Sequence, residues 1–65
     1  MHATNEEIDE ILSRPTCTVD EAARVLGIGR SQAYRGVRSG EIKSISIGAR
    51  RLVLTSVLRQ LLELA

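Results

Sequence analysis

The side chains best suited to chemistry in this sequence lie between residues 30 and 51. If Ala33 and Val37 face the interior of a helix with 3.6 residues per turn, the opposite face carries hydroxyl, phenol, amide and guanidinium groups. The groups on and beside that face are Arg30, Ser31, Gln32, Tyr34, Arg35 and Arg38. Side chains of these types bond to base edges and phosphates in a DNA major groove, so the pattern predicts a DNA-binding helix.

A β-hairpin is predicted next, at residues 43–54. Apolar and polar residues alternate before the pair Gly48-Ala49, and a second apolar run returns after it. A two-residue turn with glycine first fits type II′ and places Ile45 opposite Leu52. A three-residue turn is the alternative, and the sequence does not decide between them.

Three basic residues of this hairpin join the predicted DNA-binding set. Arg50 and Arg51 lie at its tip, where exposed arginines suit phosphate contact or insertion into a minor groove. Charge near the end of an edge strand also prevents unwanted strand pairing, and the two roles are compatible. Lys43 stands at the start of the hairpin.

The distribution of charge indicates a polyanionic partner on one side of the molecule. The formal net charge of the chain is +1. Residues 22–54 nevertheless carry seven basic side chains and one acid, a net of +6, whereas residues 1–21 carry six acids and one base, a net of −5. A solvated helix face usually mixes both signs, but no acid interrupts residues 22–40. We therefore expect a basic body with an acidic N-terminal end.

The other reactive groups do not form a recognisable catalytic or metal site. His2 stands alone near the N-terminus, and Cys17 has no histidine partner at a plausible spacing. The acids of residues 6–10 are interpreted as a solvated helix face, and the glycines at 27–29 lack the strand-to-helix context of a phosphate-binding loop. We expect no metal, no cofactor and no small-molecule ligand, and we predict that the protein is not an enzyme.

Length and composition favour one small domain in a reducing compartment. A chain of 65 residues whose one aromatic side chain is Tyr34 has a small, aliphatic core. Its single cysteine excludes an intrachain disulfide, and no apolar run approaches the ~20 residues of a membrane span. The N-terminus lacks a signal-peptide pattern. We expect a cytoplasmic protein, bound to DNA in a bacterial host.

Four segments of this domain, residues 1–65, are predicted to position the functional groups. They are an acidic N-terminal helical segment (1–15), a helix-turn-helix (18–40), a wing hairpin (43–54) and a C-terminal helix (55–64). Asn5 is expected to cap the first helix, which ends before Pro15. Thr55 or Ser56 is expected to cap the last helix. Its apolar stripe is Val57, Leu58, Leu61 and Leu62.

A capping box and two glycines define the predicted helix-turn-helix. Thr18 and Glu21 have the types and spacing with which side chains and backbone N–H groups satisfy each other at a helix start. Gly27 ends this helix, Ile28 is the expected buried residue of the turn, and Gly40 ends the second helix. The apolar positions of the first of these helices are Val19, Ala22, Ala23 and Leu26.

These residues together resemble the excisionase and MerR-like winged-helix family. The resemblance lies in 18–28, 30–35, 38–42, 45–51 and 56–62, and it covers about residues 17–63. It implies a small, mostly helical α+β fold: a winged helix-turn-helix with a two-stranded wing and flanking short helices. It further implies that the helix from Arg30 to Ser39 contacts the major groove, and that the wing contacts the neighbouring minor groove or backbone. Gly36 stands where the family usually carries a larger residue.

Within this family the sequence resembles a phage-type excisionase, or recombination directionality factor. Such a protein binds tandem double-stranded DNA sites cooperatively, bends the DNA and directs an integrase toward excision. We expect self-association on DNA, head-to-tail, between acidic residues 5–14 and a neighbour's basic body. The alternatives are a small stand-alone MerR-like transcriptional regulator and, in another class, an adaptor whose basic face binds an acidic protein. Salt-dependent binding to duplex DNA distinguishes the adaptor, and an excision assay distinguishes the regulator.

Overall fold

The computed structural model describes residues 4–64 and has the predicted architecture, a small α+β winged helix-turn-helix. Its elements in chain order are α1 (Asn5–Leu12), β1 (Thr16–Thr18), α2 (Val19–Leu26), α3 (Arg30–Ser39), β2 (Ser44–Ile47), β3 (Arg50–Leu54) and α4 (Thr55–Leu64). The first three residues of the predicted acidic segment, which include His2, lie outside the described residues. None of the four helices within residues 4–64 has the length and apolar character needed to cross a bilayer.

The start of α1 differs by one residue from the prediction. Thr4, and not Asn5, is the N-cap: its backbone is extended, and its Oγ1 accepts a hydrogen bond of 3.1 Å from the Glu7 N–H. A cap residue must be extended while the next residues are helical, and Asn5 is already helical. The other end of α1 is held from a distance, because the Arg59 guanidinium donates to the Leu12 carbonyl at 2.7 Å.

The predicted boundaries of α2 are confirmed. The Glu21 N–H donates to Thr18 Oγ1 at 3.1 Å, and the Thr18 N–H donates to Glu21 Oε1 at 2.9 Å, which completes the capping box. Gly27 ends the helix at φ +70°, a conformation that favours glycine, and the Ile28 N–H bonds back to the Ala23 carbonyl at 3.0 Å.

The sheet contains a strand that the sequence pattern did not predict. Its order is β1-β3-β2, and β1 pairs antiparallel with β3 so that Cys17 lies opposite Val53. The buried Thr55 fixes this edge: its hydroxyl lies 2.5 Å from the Arg14 carbonyl and 3.1 Å from the Pro15 carbonyl, and its N–H donates to Pro15. The chain preceding β1 is thus tied to the start of α4.

The hairpin of β2 and β3, which we call the wing, has the two-residue turn. Ile47 pairs with Arg50, and Ile45 lies opposite Leu52. Gly48 has φ +61°, whereas no residue other than glycine has a positive φ within residues 4–64, which is the combination required by a type II′ turn with glycine first.

The core is aliphatic, as expected, but two positions differ. The buried hydrophobic side chains are Ile11, Cys17, Val19, Ala22, Ala23, Val25, Ala33, Val37, Ile42, Val53 and Leu58. In α2 the buried residue near the C-terminus is Val25, while the predicted Leu26 is half-buried. Ile28, expected to be buried, is also half-buried and packs on the edge of the core. Both line a groove between α2, α3 and α4 and so keep one side exposed.

Candidate nucleic-acid interface

The orientation of α3 is set by two small apolar residues. Ala33 is fully buried and Val37 nearly so, and they hold the helix against α2. Glycines bound the helix at both ends, Gly29 as N-cap and Gly40 as C-cap at φ +86°. The side of α3 opposite Ala33 is therefore exposed, as the helical periodicity predicts.

Five of the six predicted residues of α3 are brought together on this exposed side. They line a shallow depression of about 480 Å³, which we call the basic face: Arg30, Ser31, Tyr34, Arg35 and Arg38. Gln32 is exposed but does not line this depression; it lines the neighbouring groove between α2, α3 and α4, which Arg35 also borders. Its Oε1 accepts a hydrogen bond of 3.3 Å from the N–H of the N-cap residue Gly29, which helps to satisfy the start of the helix.

Arg30 and Tyr34 are oriented by an acid from the neighbouring helix. Asp20 Oδ1 of α2 lies 2.9 Å from Arg30 Nε, and the guanidinium carbon of Arg30 lies 5.8 Å from the centre of the Tyr34 ring. This distance is within the range of a cation–π contact. The ion pair is largely exposed, so it orients Arg30 and contributes little to stability.

The wing lies next to the basic face, across a narrow cleft. The cleft has a volume of about 310 Å³. Its walls come from the start of α2, from Tyr34 and from the wing: Thr18, Val19, Asp20, Tyr34, Arg50, Arg51 and Leu52. Tyr34 belongs to both the basic face and the cleft, so the two surfaces are continuous. Lys43 is exposed just before β2 and lines neither of them.

The charges on these surfaces are largely uncompensated. Within residues 4–64 three salt bridges form, Arg14–Glu21 and Arg24–Glu7 at 2.5 Å and Arg30–Asp20 at 2.9 Å. Among the described residues, six bases make no salt bridge: Arg35, Arg38, Lys43, Arg50, Arg51 and Arg59. All but Arg59, whose guanidinium donates to the Leu12 carbonyl, belong to the set predicted to bind DNA.

The predicted acidic end of the molecule is also present, but one of its acids is occupied. Helix α1 packs on α2 and α4, and Glu7 pairs with Arg24 of the same chain. Glu6, Asp9 and Glu10 are exposed.

Two further ionisable groups are structural. Glu21 belongs to the capping box: partial burial alone would raise the pKa of its carboxyl, but hydrogen bonds from the Thr18 N–H and from Arg14 lower it. Burial raises the pKa of the Cys17 thiol to about 11, so this side chain is a protonated, buried thiol at neutral pH. No group of three potential metal-binding side chains comes together in the part of the chain that the structure describes.

Sequence reasoning missed two features of this interface. Asp20 was counted only among the six acids of residues 1–21, yet its side chain lies in the cleft beside Arg50 and Arg51. No sequence signal indicates this, because the contact depends on how α2, α3 and the wing pack together. The exposure of Ile47 beside the wing tip was also missed, although its alternation with serine could have suggested it.

Comparison with known proteins finds a match over the part of the chain that contains the helix-turn-helix and the wing. Residues 16–63 match the model of a family described as "Helix-turn-helix domain". A protein of Saccharopolyspora erythraea named "Probable excisionase" is 48% identical over 46 residues, which are 69% of this chain and 47% of that protein. The chain thus spans about half the length of this relative. No solved structure matches it.

Proposed function

This chain belongs to the family of excisionase-type helix-turn-helix domains, and from that membership we propose how it engages double-stranded DNA and what it does there. The observation that carries the proposal is the uncompensated basic surface running from α3 to the wing. An exposed surface with four bases that make no salt bridge attracts a polyanion, and its hydroxyl, phenol and guanidinium groups match the donors and acceptors of DNA.

Helix α3 is proposed to enter the major groove. Arg35 and Arg38 bond to guanine edges or phosphates, and Ser31, Gln32 and Tyr34 supply the neutral hydrogen-bonding groups. Arg30 contacts a phosphate at the start of the helix. This orientation leaves Ala33 and Val37 packed on α2, so binding requires no change in the core.

The wing is proposed to lie on the adjacent minor groove or its backbone. Arg50 and Arg51 approach phosphates or the groove floor, and Lys43 adds a contact at the base of the wing. The sugar–phosphate backbone that separates the two grooves would then occupy the cleft between Tyr34 and the wing.

The biological role proposed is that of an excisionase, a recombination directionality factor without catalytic activity. It binds tandem sites cooperatively, bends the DNA and directs an integrase toward excision. The similarity to the probable excisionase supports this role. The second candidate is a small transcriptional regulator, and its only support is the membership of the domain in a helix-turn-helix family. An in vitro excision assay with and without the protein separates the two, because a regulator leaves the recombination yield unchanged.

The DNA-binding surface is tested by removing one arginine at a time. Arg35→Ala should cost about 1–3 kcal/mol of specific binding and relax the preference at one base position, because a base contact is lost. Arg50→Ala should weaken binding to all sequences and lower the salt slope by about 1, because a phosphate contact is lost. Fluorescence anisotropy on specific and scrambled duplexes, at a series of salt concentrations, measures both quantities.

Arg24→Ala is the matched control. It removes the same charge from an arginine that faces α1 and pairs with Glu7, so binding should change far less than in the other two variants. Folded Arg35→Ala and Arg50→Ala proteins that bind like the parent would show that the basic face and the wing are not the DNA-binding surface.

A further inference from the structure

Ile47 is an apolar residue exposed beside the tip of the wing. With 63% of its surface exposed, it is the most exposed of the large hydrophobic side chains found on the described surface. It is the last residue of β2, directly before the Gly48 turn, and it lies beyond the reach of the core. Threonine, which is also β-branched, suits the geometry of a strand at this position.

The sheet register places Ile47 beside Arg50, and therefore beside any molecule that Arg50 binds. The two residues are directly opposite each other on adjacent strands, and opposite residues project from the same face of a sheet. Their Cβ atoms are then roughly 5 Å apart. Whatever surface Arg50 binds must therefore come within reach of the isoleucine side chain.

The charge of the wing tip indicates what kind of molecule Arg50 and Ile47 contact. Arg50, which shares its sheet face with Ile47, makes no salt bridge within residues 4–64; Arg51 makes none either, but it pairs with Ser46 and projects from the other face. A surface that joins an apolar side chain to an uncompensated arginine fits a partner that alternates anionic and apolar groups. The wall of a DNA minor groove is such a partner, since phosphates alternate there with the carbon atoms of deoxyribose, and apolar side chains enter this groove in other proteins.

We propose that Ile47 packs against deoxyribose in the minor groove that the wing occupies, and that it supplies a part of the affinity that does not depend on salt. This inference rests on the proposed DNA binding of the wing. Arginine–phosphate contacts release counterions and weaken as salt rises, whereas burial of an apolar side chain releases none. The wing then holds DNA through two contributions that respond differently to ionic strength.

Ile47→Thr tests this assignment. Threonine keeps the β-branched shape that suits a strand but removes apolar surface and adds a hydroxyl. Affinity for a one-site duplex should fall about fivefold to tenfold at every salt concentration, with an unchanged slope of log affinity against log salt. The control is Ile45→Thr, on the same strand face but two residues further from the tip and 39% exposed, which should bind like the parent. Circular dichroism and thermal unfolding check that both variants are folded.

Arg50→Gln distinguishes a failure of this inference from a failure of the proposed contact between the wing and DNA. If Arg50→Gln loses affinity and salt slope while Ile47→Thr binds like the parent, the wing binds DNA but the Ile47 contact is wrong. If both variants bind like the parent, the proposed contact of the wing with DNA is itself wrong. A loss confined to multi-site duplexes would place Ile47 against a neighbouring copy of the chain and would overturn the assignment to deoxyribose.

Discussion

At the scale of single residues, Gly36 shows how closely helix α3 approaches the segment that follows it. A Cβ atom at this position would lie 2.8 Å from Cδ1 and 3.1 Å from Cγ1 of the buried Ile42. The Ile42 N–H also donates to the Gly36 carbonyl at 3.0 Å. The space into which a side chain at position 36 would extend is filled here by Ile42.

We therefore expect Gly36→Ala to destabilise the protein despite the better helix propensity of alanine. The propensity gain is about 1 kcal/mol, whereas overpacking a buried contact costs about 1–3 kcal/mol. The net change should lower the free energy of unfolding by about 1 kcal/mol in urea denaturation.

A double-mutant cycle identifies the cause. Ile42→Val removes Cδ1, the atom nearest to the added methyl group. In that background Gly36→Ala should become neutral or stabilising. If alanine destabilises both backgrounds equally, the contact with Ile42 is not the reason for glycine at this position.

The sequence predicts which residues α3 exposes but not how they pair. Ala33 and Val37 fix the helix orientation, so 3.6-residue periodicity alone places Arg35 and Arg38 outward. The pairs Arg30–Asp20 and Arg24–Glu7 join different helices, and their geometry follows from tertiary packing that no local pattern encodes.

At the scale of elements, Thr55 connects the start of α4 to the chain before β1. Thr55→Val keeps the shape but leaves the Arg14 carbonyl without the hydroxyl that it accepts from. We expect a loss of about 1–3 kcal/mol in the free energy of unfolding, measured by urea denaturation, because the lost partner lies in a part-buried site.

Thr55→Ser is the matched control for this hydrogen bond. It retains the hydroxyl and removes only the methyl group, so it should be the more stable of the two variants. The reverse order of stability would show that the methyl group, and not the hydroxyl, matters at this position.

At this scale, features formed by neighbouring residues could be predicted from the sequence, whereas strand β1 could not. The capping box and the glycine ends of α2 and α3 were accessible because each depends on residues close together in the chain. The wing hairpin was accessible too, but the sequence left its turn open between two and three residues, and only the structure shows the register. Strand β1 was not, because its three residues are too few to show alternation and Thr18 also caps α2. Its partner β3 lies more than 30 residues away, so only the folded chain shows the pairing.

At the scale of the whole molecule, the charges form two separate regions. The basic face and the wing lie on one side of α2, and α1 packs on α2 and α4 with Glu6, Asp9 and Glu10 exposed. We propose that these three acids contact the basic body of the next copy on tandem sites. Glu7 is excluded from this contact because it is already paired with Arg24.

The combined change Glu6→Gln, Asp9→Asn and Glu10→Gln should reduce cooperativity between adjacent sites. Affinity for a single site should be unchanged or slightly tighter, because repulsion from phosphate falls. Gel-shift titrations on one-site and multi-site DNA measure the two quantities.

Glu63→Gln serves as the control, since it removes an exposed acid from α4. Cooperativity that survives the triple change would mean that α1 presents a solvated face and that neighbouring copies meet elsewhere.

The unequal lengths of the outer strands have a consequence for motion. Strand β1 pairs only with residues Leu52–Leu54, whereas β2 pairs with β3 as far as Arg50. The base of the wing is therefore clamped from both sides around the fully buried Val53, and its tip is a two-stranded ribbon. Backbone amides at the base can exchange with solvent only when much of the domain opens, whereas those at the tip exchange through local fluctuations. The tip can therefore move while the core stays unchanged, and in the proposed complex this lets the wing follow grooves of different width.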